Sequence, residues 1–256
     1  TIYLIMKIFV TNLKGFDERK NWIINHFKKH NLDFEFIDCI DGRIWNEDDV
    51  KERVSENLFK LYKNNPSWLT NGAIAATQTH IENIYKRIVS ENIEFALCCE
   101  DDILLCKDFK NKLLEIEKKL KEINFEGVAL LHYIFYQKTQ ISNLKQIPVN
   151  DSIQILELGK NQKIGSGAAY IISKRTAQTI IGNQSPIRII ADWWHDHPNI
   201  KVHFIFPTLI KTGMFSSTLG YQSNRFNYLY KLIPKPIKRL LRMKILKKKT
   251  EKNIIQ

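Results

Sequence analysis

The sequence predicts an α/β fold in which a sheet is flanked by helices. A strand, a helix and a second strand follow one another within residues 8–40, which is the order of a βαβ unit. A later apolar strand at 95–99 runs directly into the acidic residues Glu100, Asp101 and Asp102. Ligands of open α/β sheets bind at the edge where the strands end, so these acidic residues mark the predicted site.

The composition is that of a folded globular protein. Of 256 residues, 44% are hydrophobic and 11% are aromatic, which is enough to form a core and excludes a disordered chain. No segment approaches the run of about 18 apolar residues that a membrane span requires. Residues 1–10 also lack the cleavage site of a signal peptide. We interpret them as a first buried strand, with Met6 as the natural start and residues 1–5 as an upstream extension.

The positive charge is concentrated at one end of the sequence. Residues 231–256 contain ten Lys or Arg and one Glu, so they carry +9 of the net charge of +12. We therefore divide the chain into a domain at 1–230 and a basic amphipathic tail at 231–256. Such tails bind anionic membranes or nucleic acid. We favour a membrane and expect no nucleic-acid partner, because the tail has no aromatic side chains to stack on bases. The alternative is a disordered, solubilising tail.

The cysteines give a further expectation about the environment of the protein. The four of them, at positions 39, 98, 99 and 106, lack the spacing of metal ligands. Three lie in or beside an apolar strand, so we expect reduced thiols in the core. Reduced thiols are typical of a cytosolic protein.

The individual elements are predicted from apolar periodicity and from residues that cap helices or break strands. In the first half they are a strand at 8–13, a helix capped by Asp17, a strand at 34–40 that closes in the turn pair Asp41-Gly42, a charged helical segment at 46–66, and a helix that begins at Asn71-Gly72. In the second half they are the strand at 95–99, a helix at 109–123, a strand at 128–136, a polar loop at 137–163 with one strand at 153–158, a glycine-containing segment at 164–173, a helix capped by Ser173, and a strand at 202–206. His80 falls on the polar face of the helix that begins at Asn71, so this pattern alone predicts an exposed histidine.

The acidic segment is a candidate metal site. Glu100 and Asp102 are two positions apart, so on an extended chain both carboxylates point to one side and can reach one hard divalent ion. The alternative is a solvated turn after a buried strand.

Two later segments are candidate ligand contacts. Gly165 and Gly167 permit close backbone approach, which suits a cradle for a sugar or a phosphate and equally suits a tight turn. Asp192 stands beside Trp193 and Trp194. Aromatic faces pack against sugar rings, and an aspartate among apolar rings has the raised basicity that a general base needs. The alternative is two core tryptophans followed by a solvated turn.

These segments, in this order, resemble glycosyltransferase family 25, the bacterial lipooligosaccharide galactosyltransferases and their relatives. The resemblance covers about residues 8–220 and is carried by FVTNLKGFDER, FEFIDCIDG, NGAIAATQTH, CCEDD, and GSGAAYIIS with Asp192 after it. The sequence departs from the family pattern at Ala75, Ala76 and Thr79, where a glycine, a cysteine and a serine are expected. His80 is retained.

The resemblance implies a GT-A type, Rossmann-like mixed sheet and a UDP-sugar donor, most often UDP-galactose. It also implies a divalent metal, most often Mn²⁺, and carboxylate ligands suit Mn²⁺ or Mg²⁺. The expected metal ligands are Glu100 and Asp102, with His195 as a third. The resemblance further implies inversion at the sugar carbon, which requires one base on the acceptor hydroxyl. We expect Asp192 to be this base, with Asp101 as the second choice.

The resemblance also implies residues for the two substrates. The expected donor-binding residues are Asn12, Arg19, Asp41, Gly42, His80, Gly165, Gly167 and Tyr170. Trp193 and Trp194 are expected at the acceptor or the donor sugar. The expected acceptor is a lipooligosaccharide or another lipid-linked glycan, so we expect a cytoplasmic protein held on the inner face of the cytoplasmic membrane by its tail.

Two other functions remain open from the sequence. One is a basic-tailed module that binds a membrane or nucleic acid, in which the acidic segment is only a turn. The other is a metal-dependent hydrolase that uses the same carboxylates and further ligands such as His195 or His197.

Overall fold

The protein folds as an eight-stranded mixed sheet flanked by helices. The structure, a computed structural model, describes residues 6–215, 217–220 and 254–255. The predicted α/β class is confirmed, as is the mixed sheet between helices. Residues 1–5 and nearly all of the predicted tail at 231–256 lie outside the described residues.

The strands of the central sheet are β1 (Lys7–Asn12), β2 (Glu35–Asp38), β3 (Phe95–Cys99), β5 (Val128–Leu130), β8 (Gln146–Pro148), β9 (Gln154–Glu157), β11 (Ala169–Ser173) and β12 (Val202–Phe206). Short strands form three separate pairs: β4 (Leu104–Leu105) with β13 (Ile210–Lys211), β6 (Ile134–Phe135) with β10 (Ile164–Gly165), and β7 (Thr139–Gln140) with β14 (Ile254–Ile255). The α-helices are α1 (Asp17–Lys29), α2 (Glu47–Arg53), α3 (Glu56–Asn64), α4 (Asn71–Thr79), α5 (Lys86–Ser90), α6 (Phe109–Glu122) and α7 (Lys174–Asn183).

The order of the sheet is β2-β1-β3-β11-β5-β12-β9-β8. β1 pairs in parallel with both β2 and β3, and β12 pairs in parallel with β5. β11 lies between β3 and β5 and is antiparallel to both. Consequently β2, β1, β3, β5 and β12 all point one way and end at the same edge, whereas β11 begins there.

The sheet is buried on both faces. In β3, Ala96 and Cys98 join the core cluster on one face, and Phe95, Leu97 and Cys99 join the cluster on the other. The first cluster takes apolar residues from α2 to α5 and α7, and the second takes them from α1 and α6. A strand covered by helices on both sides is apolar throughout, which is why residues 95–99 show no alternation.

Several predicted elements differ in detail. The first helix begins at Asp17, and its N-cap is Phe16, which makes no side-chain cap. Asp17 therefore lies inside the first turn, where a carboxylate faces the positive end of the helix. The segment 46–66 forms two helices, because the chain is extended at Val54, which bridges Ile187.

The second half of the chain is more broken than predicted. The strand expected at 128–136 divides into β5 and β6, and the loop at 137–163 contains β7, β8 and β9 rather than one strand. Ser173 caps α7 as predicted, since its side chain accepts a hydrogen bond from the Thr176 amide.

A π-helical segment, His80–Tyr85, follows α4 and separates it from α5. The predicted exposure of His80 is wrong, because only 5% of this residue is accessible. The wider π-helical turn changes which positions face inward, and the simple 3.6-residue pattern does not register that change.

All four cysteines are free thiols, and Cys98 and Cys99 are buried in β3. Within the described part of the chain, no helix combines the length and the apolarity that a membrane crossing requires.

Candidate active site

The candidate site lies at the edge where the parallel strands end. β1 ends at Asn12, and β3 leads into Glu100, Asp101 and Asp102. β11 runs in the opposite direction, so the loop before it, residues 166–168, reaches the same edge. Strands that are distant in sequence thus deliver carboxylates, an amide and backbone N–H groups to one place.

Asp101 is held by two donors. Its Oδ2 accepts a hydrogen bond from Asn12 Nδ2 at 2.7 Å, and its Oδ1 lies 2.6 Å from Arg19 Nη2. Burial raises the pKa of Asp101, and the guanidinium of Arg19 acts against that rise. The structure thus brings Asn12, Arg19 and Asp101 together as a buried polar group in which each carboxylate oxygen already has a partner.

Asp102 keeps one oxygen free of protein donors. Its Oδ1 is buried and accepts no hydrogen bond, while Oδ2 lies 3.7 Å from Arg19 Nη2. Burial raises the pKa of Asp102 to about 6, while the charge of Arg19 and, to a smaller extent, the Gly213 backbone N–H act against that rise. A buried acceptor without a partner calls for an explanation, and a bound cation is one.

Glu100 completes a group of three carboxylates. Burial raises its pKa most strongly, and the nearby charges of Asp102 and Asp192 raise it further. Like charges held this close oppose one another, so the arrangement favours a positively charged ligand between them.

The carboxylates fit a divalent cation as a pair and not as a complete cage. Among residues 6–215, 217–220 and 254–255, no group of three or more His, Cys, Asp or Glu side chains could hold a metal ion. The oxygen chemistry of Glu100 and Asp102 and the orphan Oδ1 of Asp102 suit a hard cation whose remaining ligands come from a phosphate group. The contacts of His195 lie elsewhere: Nδ1 is 2.7 Å from the Ile164 carbonyl oxygen, and Nε2 is 3.4 Å from Asp196.

Asp192 is fixed by the glycine-containing loop. Its Oδ1 accepts a hydrogen bond from the Gly167 N–H at 2.6 Å, and its backbone carbonyl accepts one from the Ser166 N–H at 3.2 Å. Burial raises the pKa of Asp192. A Cβ on Gly167 would lie 2.6 Å from Asp192 Oδ1 and 3.8 Å from Glu100 Oε1, so only glycine fits between these two carboxylates.

Gly165 is equally confined. A Cβ there would lie 2.1 Å from the Tyr136 hydroxyl and 2.7 Å from the Asp192 carbonyl oxygen. The close backbone approach predicted for these glycines is therefore present, and the groups that approach are Asp192 and Tyr136.

The other four predicted donor-binding residues also have structural roles. His80 Nδ1 and the Tyr85 hydroxyl both contact the Tyr170 hydroxyl, and these three side chains are buried in the core. Burial lowers the pKa of His80 to about 4. Asp41 pairs with Arg43 and caps a short 3₁₀-helix that begins at Gly42. Their roles in donor binding remain predictions.

The two tryptophans differ in their surroundings. Trp194 is fully buried and donates from Nε1 to the Ser166 carbonyl oxygen at 2.8 Å. Trp193 is half-buried, and its ring centroid is 5.4 Å from that of Trp68, which is 39% exposed. The pair of Trp193 and Trp68 is an aromatic surface beside Asp192.

A segment after β13 crosses the edge of the site. The ring of Phe215 lies against the Arg19 guanidinium, and the distance from Arg19 Cζ to the ring centroid is 5.6 Å. Further along, the Leu219 carbonyl oxygen accepts a hydrogen bond from the Thr70 hydroxyl. A Cβ on Gly72 would lie 2.6 Å from the Leu219 carbonyl oxygen, so the start of α4 must carry glycine there. The sequence pattern offered no sign of this segment, because its contacts are made by backbone atoms and one aromatic ring.

His132 is a buried site residue that sequence reasoning missed. It follows β5 and contacts Ser166 and Thr212. In the sequence it stands within an apolar run, VALLHYIF, which is typical of a core strand. A histidine at the end of a strand, opposite a serine between two glycines, was the available signal.

Comparison with known proteins gives a family. The family model described as Glycosyltransferase family 25 (LPS biosynthesis protein) matches residues 5–194. Human procollagen galactosyltransferase 2 is 22% identical over 239 residues, covering 85% of this chain and 37% of that protein. A glycosyltransferase 25 family member from Aedes aegypti is 30% identical over 132 residues, covering 50% of this chain and 21% of that protein.

Two further matches are weaker. Procollagen galactosyltransferase 1-B from Xenopus laevis is 27% identical over 110 residues, which is 42% of this chain and 18% of that protein. The chain thus spans well under half the length of these curated relatives. A crystal structure of mannose-1-phosphate geranyltransferase from Thermus thermophilus aligns with a TM-score of 0.31 and 9% identity, over 79% of this chain and 74% of that one. This score is too low to relate the two folds.

Proposed function

The chain belongs to glycosyltransferase family 25, and on that premise we propose that it transfers galactose from UDP-galactose to a hydroxyl group of a glycan. The observation that carries the proposal is that Glu100, Asp102 and Asp192 come together where the parallel strands end, with Gly167 between Glu100 and Asp192. Two of these carboxylates serve the donor and the third serves the acceptor. The GT-A type of the sheet is part of the same proposal.

On the donor side, Glu100 and Asp102 would hold Mn²⁺ or Mg²⁺. Such an ion, when bound, stabilises the negative charge that develops on the diphosphate as the sugar bond breaks. Asn12 and Arg19 have a different task. They hold Asp101 through both of its oxygens, and this fixes the turn that aims Glu100 and Asp102.

On the acceptor side, Asp192 takes the proton. The acceptor oxygen attacks the anomeric carbon, the bond from that carbon to the diphosphate breaks, and the hydroxyl proton passes to Asp192. This single displacement inverts the configuration. Burial raises the pKa of Asp192, which makes it a better base, and the Gly167 N–H holds its orientation. Asp101 is the weaker candidate because Arg19 and Asn12 occupy it.

The aromatic surface supports a glycan as the acceptor. Trp193 follows Asp192 in the sequence, and its ring packs against that of Trp68. Trp68 is 39% exposed, so covering its ring with the face of a pyranose is favourable. We propose a lipid-linked oligosaccharide, since residues 231–256 carry a net charge of +9 that suits an anionic membrane surface. The proposed location is accordingly the inner face of the cytoplasmic membrane.

The first test is thermal unfolding with a panel of nucleotide sugars, each with and without Mn²⁺. A ligand that binds the native state raises its stability. We expect a metal-dependent rise with UDP-galactose that is lost in Asp102→Asn and kept in Asp192→Asn. If no nucleotide sugar raised the unfolding temperature, the proposal would be contradicted.

The second test is transfer to a saccharide acceptor, followed by NMR of the anomeric proton of the product. We expect inversion, and we expect Asp192→Asn to remove transfer while Asp196→Asn, which changes an exposed carboxylate four positions away, leaves it intact. Release of free galactose at the same rate with and without acceptor would identify a hydrolase instead.

A further inference from the structure

His132 connects two loops that meet at the site. The residue is 4% exposed and follows β5. Its Nδ1 is 2.7 Å from the Ser166 hydroxyl, and its Nε2 is 3.3 Å from the Thr212 hydroxyl. Both ring nitrogens are therefore used, and the two partners belong to loops that are far apart in the chain.

Each of these hydroxyl residues is followed by a glycine whose backbone N–H faces a carboxylate of the site. Ser166 precedes Gly167, whose N–H donates to Asp192 at 2.6 Å. Thr212 precedes Gly213, whose backbone N–H faces Asp102 and lowers the pKa of that carboxylate. His132 thus lies at the centre of a chain of contacts that begins at the acceptor-side carboxylate and ends at the donor-side carboxylate.

The Ser166 side of this chain is tightly constrained. Ser166 has a φ of 135°, a conformation that residues other than glycine rarely adopt. Its N–H donates to the Asp192 carbonyl, its own carbonyl accepts from Trp194 Nε1, and its hydroxyl accepts from the Ala168 N–H. Such a backbone persists only where the surroundings determine it, and the contact with His132 is one of those determinants.

We propose that His132 is a positioning residue that sets the distance between Asp192 and Asp102. The inference rests on the proposed function, in which one carboxylate activates the acceptor and the other serves the donor diphosphate. Their separation must match the in-line path from acceptor oxygen to leaving group. A displacement of about 1 Å in such a path costs on the order of 100-fold in rate.

The protonation state of the ring suits this task. Burial lowers the pKa of His132 to about 4, so the ring is neutral near pH 7. A neutral imidazole has one donor and one acceptor nitrogen. Because a hydroxyl can either donate or accept, both contacts are satisfied at once.

Three substitutions separate the two contacts. His132→Asn places an amide near the position of Nδ1 and keeps the Ser166 contact. His132→Gln reaches the position of Nε2 and keeps the Thr212 contact. His132→Phe keeps the ring volume and loses both.

The readouts are turnover, donor binding, and the amide resonances of protein labelled with ¹⁵N-glycine, since the sequence has ten glycines. We expect His132→Phe to lower kcat about 100-fold, to weaken metal-dependent donor binding, and to shift the Gly167 and Gly213 amide protons upfield. His132→Asn should shift only Gly213 and weaken mainly donor binding. His132→Gln should shift only Gly167 and lower mainly kcat.

A folded His132→Phe protein with unchanged kcat and unchanged glycine resonances would overturn the proposal, even if its melting temperature were lower. If that variant fails to fold, Ser166→Ala and Thr212→Val remove the same contacts one at a time and are judged by the same shifts. The glycine resonances need no substrate. A wild-type protein that transfers no sugar would therefore refute the proposed function, while the resonances would still decide the role of His132.

Discussion

Arg19 Nη2 lies 2.6 Å from Asp101 Oδ1, and only 8% and 9% of these two side chains are exposed. Replacing both partners of such a buried ion pair with apolar residues often costs little stability, but removing only one leaves an uncompensated buried charge. A change at Arg19 or Asp101 alone should therefore lower the stability of the fold as well as alter the site.

We expect Asp101→Ala to destabilise the protein by about 3 kcal/mol, at the lower end of the range for broken buried pairs because Asp102 remains 3.7 Å from Arg19. Urea denaturation measures this change. The matched control is Glu126→Ala, because Glu126 lies 2.7 Å from Arg175 with side-chain exposures of 52% and 73%. The loss there should be below about 1 kcal/mol. Equal losses in the two variants would show that burial of the Arg19 pair has no energetic consequence.

His80 should make stability depend on pH. Its pKa is about 4 in the folded protein and 6.5 in the unfolded chain, so the unfolded state binds the proton first as the pH falls. The contribution of neutral, buried His80 to the free energy of unfolding is therefore complete above pH 6.5. It falls by about 3 kcal/mol as the pH is lowered from 6.5 to 4. His80→Asn removes the ionisable ring, so the decrease in the free energy of unfolding between pH 7 and 4 should be smaller in this variant by about 3 kcal/mol. Parallel curves for variant and wild type would contradict the buried, neutral state of His80.

Gly42 and Gly182 should respond to alanine in opposite ways. A Cβ on Gly42 would lie 2.5 Å from the Asn71 carbonyl oxygen and 2.7 Å from the Ala75 Cβ, so Gly42→Ala must separate the 3₁₀-helix from α4. We expect a loss of about 1–3 kcal/mol. Gly182 lies in α7 with no atom within 4 Å of a Cβ, so Gly182→Ala should stabilise the protein by about 0.5–1 kcal/mol. Melting temperatures that move in the same direction would refute the packing argument.

Trp68 should matter for the acceptor and not for the donor. Trp68→Ala removes the more exposed ring of the aromatic surface, and we expect KM for a saccharide acceptor to rise about tenfold, which corresponds to about 1.4 kcal/mol. The affinity for UDP-galactose should stay constant. Ile44→Ala, which truncates an apolar side chain that is 81% exposed, is the control and should change neither value. A rise in the donor Kd for Trp68→Ala would move this surface to the donor side.

The parts of the fold that depend on local pattern were predictable. Residues 95–99 and 202–206 form strands with the bounds that were expected, because both are apolar runs with abrupt polar or proline ends. Ser173 caps a helix, because a serine before a helical pattern has a local reason to do so. These features need no knowledge of distant contacts.

The features that depend on distant contacts were not predictable. The inward position of His80 depends on a π-helical segment and on the hydroxyl of Tyr170, 90 residues away. The role of His132 depends on Ser166 and Thr212, which no periodicity relates to it. For the candidate site, the sequence indicated the carboxylates themselves, while the partners that hold each carboxylate became visible only in three dimensions.

The position of β11 in the middle of the sheet has a consequence for synthesis on the ribosome. One edge of β3 pairs with β1, and the other pairs with β11. The second edge therefore stays unpaired until β11, which ends at Ser173, has emerged from the ribosome. β5 also pairs with β11, so one of its edges stays unpaired for the same time. An apolar strand with an unpaired edge pairs readily with other chains, and pairing over such a sequence distance is slow. Fragments that end before Ser173 should therefore aggregate during expression, and nascent chains of that length are where a chaperone would be needed.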